Sequence, residues 1–350
     1  MCMKSKLLLT INATLISATL LAQTGASNSD LSINGSVDAY YRFNFANAKN
    51  YNTSNNRTSF TNSQNSFELG MASIKAAYTK GKAGAVIDLG FGSRATEFSY
   101  AETGALAAIK QAYVSYSPSE KVKISAGKWA THLGYELLDP QFNRNYSMSY
   151  MFSYGPFSHT GVKAEFTLGK GFGLMAGVAN PTDFISASFS KKNVIAQFSK
   201  TSEKANAYLN YVGGKDTAGN GINQIGLTAT AKLGDKFSLG YDGTVKSVKP
   251  ITGSKGSWWG SALYINVDPS DKLGLTLRGE YLDDSKQGFI FGTPTSIIQT
   301  TISLNIKPVN GLSIIPELRL DSAKDPIFTK NDGAGSKSSG SFVLATVYSF

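Results

Sequence analysis

Charged side chains of both signs sit at alternate positions within otherwise apolar stretches of the 350-residue sequence: Asp38, Arg42, Glu68, Asp88, Lys163, Glu165, Asp242, Arg278, Glu280, Glu317, Arg319 and Asp321. Successive side chains of an extended chain point to opposite faces, so these residues occupy the face that the apolar residues leave. Turned toward a water-filled lumen, such charges stay hydrated and shape the field felt by a passing ion. The plainer use is pairing of arginine with glutamate across strands, which fixes a wall. Acids are not outnumbered in this set, so the formal net charge of +10 is poor evidence for anion preference.

A second concentration of reactive residue types runs from Ala130 to Ser158, where Tyr135, Phe142, Tyr146, Tyr150, Phe152, Tyr154 and Phe157 are interspersed with His132, Glu136, Asp139 and Arg144; His159 follows just beyond. An irregular segment this long usually has a function. Folded into a barrel it would constrict the lumen, with its aromatics on the wall and its polar groups along the passage. An external flap or a subunit contact is the alternative. Hydrolysis would need a base beside a nucleophile. The two histidines do lie near Ser147, Ser149, Ser153, Ser158 and Asp139. Hydrogen bonding of the histidines to wall or loop is nevertheless the stronger reading of a serine-rich segment. No His, Cys and carboxylate grouping has metal-site spacing, and no glycine-rich segment joins a strand to a helix as phosphate-binding loops do. No catalytic residue, cofactor or metal is expected.

The elements that must position these residues are strands. From Leu31 to Phe45, Leu31, Ile33, Val37, Ala39, Tyr41 and Phe43 alternate with Ser32, Asn34, Ser36, Asp38, Tyr40, Arg42 and Asn44. This alternation outruns the usual ~5–6 residues of a globular strand and matches a membrane strand of ~9–11 residues with a rim. Phe67 to Tyr78 is a second strand whose phase slips near Met71 to Ile74, which predicts a β-bulge. Phe237 to Val245 and Leu273 to Tyr281 repeat the alternation.

Compact turns such as Thr79-Lys80-Gly81-Lys82, Gly169-Lys170-Gly171 and Gly234-Asp235-Lys236 take turns with longer polar segments around 46–66, 93–105, 130–158, 180–192, 213–223, 248–256, 283–296 and 322–340. Short turns at one end and long loops at the other are the pattern of a transmembrane antiparallel up-and-down β-barrel, here of about 16 strands. The last ten residues, Ser341 to Phe350, alternate again and stop on an aromatic. Left at an edge they would invite aggregation, whereas pairing with the first strand closes the barrel. A soluble β-sandwich also alternates, but seldom with charges on the opposite face of strand after strand.

Composition agrees with an all-β chain, with 35 Gly, 17 Tyr and 20 Phe against one Cys and two His. Met1 to Ala26 has Lys4 and Lys6, an apolar run and then small residues, the layout of a signal peptide cleaved after Ala22 or Ala26. The single domain would then run over residues 27–350, and Cys2 would leave with the signal. No later stretch approaches the ~18 apolar residues of a membrane helix. Lysines spread over turns form a solvated surface, and no nucleic-acid partner is expected.

Gly134-Tyr135-Glu136, Asn145-Tyr146-Ser147-Met148-Ser149-Tyr150 and His159-Thr160-Gly161-Val162-Lys163 resemble the signature of the OmpL-like putative beta-barrel porin family of Gram-negative outer membranes. The similarity continues through Ala207 to Tyr211 and Asp235 to Gly240 to Phe350. Where that family commonly has an Asn-Gly-Trp-Asp-like turn, this chain has Asn180-Pro181-Thr182-Asp183, so no role of that tryptophan carries over. The resemblance implies an outer-membrane pore for passive diffusion of small hydrophilic solutes, in contact with outer-membrane lipids and the barrel assembly machinery, and a homotrimer by analogy. A structural or adhesive barrel with an occluded lumen is the alternative, and a barrel hydrolase a more distant one. The pore-lining or constriction candidates are Asp38, Arg42, Glu68, Tyr135, Glu136, Arg144, His159, Lys163, Glu165, Asp242, Arg278, Glu280, Glu317 and Arg319.

Overall fold

The computed structural model describes residues 29–48 and 54–350; the expected export signal lies outside them. The first strands are β1 (Ser29–Asn44), β2 (Ser66–Lys80), β3 (Ala83–Phe91), β4 (Ile109–Ser119), β5 (Val122–Ala130), β6 (Ser158–Gly169) and β7 (Phe172–Ala179). They are followed by β8 (Asn193–Thr201), β9 (Ala205–Lys215), β10 (Gly221–Lys232), β11 (Phe237–Lys249), β12 (Gly256–Ser270) and β13 (Leu273–Asp283). The chain ends with β14 (Ser296–Ile306), β15 (Leu312–Ala323), the two-residue strands β16 (Phe328–Thr329) and β17 (Gly335–Ser336), and β18 (Ser338–Ser349).

Every strand except β16 and β17 belongs to one closed antiparallel barrel, in which β1 lies between β2 and β18. That makes 16 barrel strands, and β16 and β17 form a hairpin of their own in the last loop. At the seam, Ser36 pairs with Ser349 and Asn44 with Ser341. Gly35 and Phe350 exchange two backbone hydrogen bonds of 3.0 Å. No helix among the described residues is long and apolar enough to cross a membrane. Every barrel ladder closes on itself, as a bilayer requires of a sheet that spans it.

Burial is inverted relative to a water-soluble domain. On β14, Ile298, Ile302, Leu304 and Ile306 are exposed, while Gln299, Thr301 and Ser303 between them are fully shut off from solvent. On β15, Leu320 is 57% exposed and the adjacent Asp321 only 5%. The apolar face meets lipid and the polar face the interior, as in outer-membrane barrels. β7 is an exception: its inward residues include Met175 and Ala179, which join Trp129, Leu133, Ile195 and Val212 in an apolar cluster inside the wall.

The slip expected near Met71 is a bulge at Gly70, since Asp38 pairs with Met71 but Ala39 pairs with Leu69. Two loops are shorter than the sequence pattern implies: only 216–220 and 250–255 separate β9 from β10 and β11 from β12, because the strands continue through Lys215, Gly221 and Lys249. Two short helices, α1 (Ser93–Phe98) and α2 (Tyr150–Tyr154), occupy segments read as polar loop.

Candidate functional site

Residues 131–157 leave β5, turn through the barrel interior and return to β6. The segment is locally rigid. Asn143 braces Leu137 from both sides, accepting from its N–H at 2.9 Å and donating to its carbonyl at 2.5 Å. Ser149 caps α2 by accepting from the Phe152 N–H at 3.1 Å, the usual service of serine at a helix start.

Wall carboxylates hold the segment by its backbone. Glu317 on β15 accepts from the N–H groups of Tyr146 (2.8 Å) and Ser147 (3.1 Å). Glu280 on β13 accepts from Tyr150 and Met151, both at 2.9 Å. Asp242 on β11 accepts from Tyr135 at 3.1 Å. Asp38 on β1 accepts from the Tyr146 hydroxyl, and Asp321 from the Tyr150 hydroxyl at 2.8 Å. Gly70 permits the Asp38 contact, because a Cβ there would lie 1.9 Å from Asp38 Oδ2 and 2.6 Å from the Tyr146 oxygen.

Wall cations take the loop's carbonyls and its one buried acid. Arg278, fully enclosed, pairs with Glu136 at 2.5 Å and donates to the Ser147 carbonyl at 2.8 Å. Tyr264 on β12 donates to the same Glu136 oxygen at 3.1 Å. Arg319 donates to the Met148 carbonyl at 2.6 Å while paired with Asp321 at 2.9 Å. Nearer the short-turn rim, Arg144 is bound to both oxygens of Asp268. Charged hydrogen bonds in a water-poor interior are the strong ones, provided that each charge is matched.

Of the remaining candidates, His159 alone reaches this segment with a hydrogen bond, to Thr131. Arg42 donates to the carbonyls of Ser54 and Ser63, each at 2.8 Å, and so fixes the first loop. Glu68 is half-buried opposite Tyr40 on β1. Lys163 pairs with Glu165 at 3.2 Å on the same strand and lies 5.3 Å from the centre of the Trp129 ring. His159 and His132 stand at the two feet of the segment with ring centres 5.1 Å apart. His159 shares a 3.2 Å hydrogen bond with the Thr131 hydroxyl, and His132 Nε2 donates to the Tyr211 carbonyl at 3.1 Å. Among the described residues, no group of three His, Cys, Asp or Glu is placed to hold a metal.

Several participants were not singled out in the sequence. Arg94 of α1 donates to the carbonyls of Leu138 and Tyr146 at 3.3 Å and is sandwiched between the Phe60 and Tyr146 rings. Lys110 lies between Asp88, at 3.0 Å, and Asp139. Phe60 donates its N–H to Glu97 at 2.7 Å and packs with Phe152 and Phe157, so the first loop lies against α2 as well. An arginine in a loop carries no periodic signal that would reveal such a role.

Cavities lie along the wall made by β10, β11 and β12, two of which bear on the segment. The larger, about 60 Å³, is lined in part by Tyr135, Asn143, Thr230 and Asn266. The smaller, about 10 Å³, lies toward the long-loop end beside Leu133, Gln224, Asp242 and Thr244. At the larger cavity the Tyr135 ring stacks on Tyr264, 4.2 Å centre to centre, and covers Gly240. A Cβ at Gly240 would fall 2.5 Å from Tyr135 Cζ, so only glycine lets the ring lie this close to the wall.

The family whose model matches residues 30–350 is described as "Putative beta-barrel porin-2, OmpL-like". No curated protein matches the chain. Among solved structures, the anion-selective porin from Comamonas acidovorans superposes with TM-score 0.63 at 12% identity, covering 92% of this chain and 100% of that one. The outer membrane channel DcaP of Acinetobacter baumannii gives 0.64 at 13% identity over 92% and 98%. OmpT of Vibrio cholerae in its trimer form gives 0.61 at 10% identity over 92% and 99%. At these identities the likeness is one of fold.

Proposed function

The chain belongs to the OmpL-like putative beta-barrel porin family, and from that premise we propose that it conducts small hydrophilic solutes passively across the outer membrane. The observation that carries the reading is the inverted barrel: sixteen strands, an apolar outer face, a polar inner face, and a loop fastened across the inside by wall charges. A polar lumen supplies the hydrated path, and the inward segment sets its width. No catalytic step and no energy source enter this reading. Export through the expected signal, recognition by the barrel assembly machinery and contact with outer-membrane lipids belong to it too. So does a homotrimer, for which the trimer form of the Vibrio cholerae OmpT is the precedent.

Reconstitution of the mature chain in a planar bilayer tests it. Discrete conductance steps are expected, and insertion without steps would sink the channel reading. One observation favours the second reading, a structural or adhesive barrel with a blocked lumen: Arg278, Tyr150, Gln299 and Ser303 inside the wall are wholly enclosed. The same recording separates the two, since a blocked barrel inserts silently.

A further inference from the structure

We propose that the solute path follows the β10–β12 wall past Tyr135, and that it favours small uncharged hydrogen-bonding molecules, polyols and sugars, over ions of equal size; this rests on the porin reading above. The first support is geometric. Both cavities touch this wall, and the segment from Leu133 to Tyr135 lines them, Tyr135 the larger and Leu133 and Gly134 the smaller. Gly226 and Gly240 face that segment without side chains of their own, so the ring of Tyr135, which lines the larger cavity, is the bulkiest group of that stretch.

The second support is chemical. The β13–β18 side of the interior carries Arg278, Glu280, Glu317 and Arg319, all committed to the loop. Along the cavities the wall offers amides and hydroxyls instead: Gln224, Thr230, Thr244 and Asn266. The ionic groups that reach the cavities are engaged, Arg144 by Asp268 and Glu136 by Arg278, while Asp242 accepts from the Tyr135 N–H. An ion entering here would exchange its hydration for neutral dipoles, at a cost that a neutral polyol does not meet.

The third support is an unpartnered pair of groups on β9 and β10, on the side of the barrel that carries Gln224 and Asp242. Thr228 faces inward on β10 between Gln224 and Thr230, directly across from Asp242, and its hydroxyl is buried without a hydrogen-bond partner. Asn210 lies one strand further on; its carbonyl accepts from Gln197, yet its amide nitrogen is buried and unpaired. These buried groups add unsatisfied hydrogen-bonding capacity to this side of the interior, which a hydroxylated solute reaching them would meet.

The test is osmotic swelling of proteoliposomes holding the mature chain, with glucose, gluconate and glucosamine as permeants of matched size. Glucose is expected to enter at least ~5-fold faster than either ion, and Tyr135→Ala to raise the glucose rate ~3-fold or more with the order kept. The heat-dependent gel mobility of the Tyr135→Ala chain, compared with wild type, shows that its barrel is folded before the rates are read. Gluconate or glucosamine matching glucose would overturn the solute assignment alone, and an unchanged rate in a folded Tyr135→Ala barrel would overturn the path. Swelling with none of the three would overturn the porin reading together with this one.

Discussion

Arg278 and Glu136, 2.5 Å apart and both sealed from solvent, join the barrel wall to the inward loop across 142 residues of chain. Neither charge is tolerable there alone, because a buried ion without its partner costs more than the pair returns. The pair is therefore a condition for the loop's position rather than an ornament of it.

Glu136→Ala should destabilise the folded barrel by about 3 kcal/mol, the low end for breaking a buried pair, since Arg278 keeps other partners. Those are Gln299 at 3.0 Å, the Ser147 carbonyl at 2.8 Å and Thr301 at 3.1 Å. Urea titration of the heat-modifiable band measures the loss. Combining Glu136→Gln with Arg278→Met should restore part of it, and a double variant no better than the single would contradict the pairing argument.

Glu317→Gln keeps the shape but offers one acceptor where the carboxylate served two N–H groups. With one buried N–H of Tyr146 or Ser147 left unpaired, a loss of ~1–3 kcal/mol in loop anchoring is expected. Larger single-channel conductance with more current noise would report it, and limited proteolysis should cut within 131–157 sooner than in wild type.

Burial depresses His132 from 6.5 to about 4, the Tyr211 carbonyl partly offsetting this and the nearby Lys163 adding to it. Because the folded value lies below the unfolded one, its contribution is fully present above pH 6.5 and is lost as pH falls through about 4. Protonation there sets a cation beside the His159 ring and within reach of Lys163. Conductance should thus rise as pH is lowered through that window, and His132→Asn should flatten the dependence. An identical pH profile in the variant would exclude His132 as the titrating group.

Deleting Phe350 removes two backbone hydrogen bonds to Gly35 and the ring that covers it. Membrane levels of the truncated chain should fall several-fold while the conductance of inserted copies stays near wild type. Quantitative blotting of outer-membrane fractions, read beside bilayer recordings, distinguishes an assembly defect from a conduction defect.

The barrel was legible because its signal is local and repeated. Alternation on β1, β11 and β13 names the faces, turn lengths name the ends, and an apolar terminal strand demands a partner. The role of the wall charges was not legible. Whether Glu280 faces open water or the Tyr150 N–H depends on how a loop 130 residues earlier folds back, and no pattern within β13 encodes that. Arg94 and Lys110 stayed hidden for the same reason, and the interior cluster around Met175 broke the rule that inward means polar.

The placement of Ser36 opposite Ser349 bears on biogenesis. All other neighbours in the barrel ladder follow one another along the chain, so each can zip up from a hairpin by closing one modest loop. The seam has no such gradual route: it joins the most distant contacts of the fold, which form slowly. A polypeptide stalled before its final strand keeps a raw edge open to any neighbour. Closure of the circle therefore removes both open edges, of β1 and of β18, in a single event.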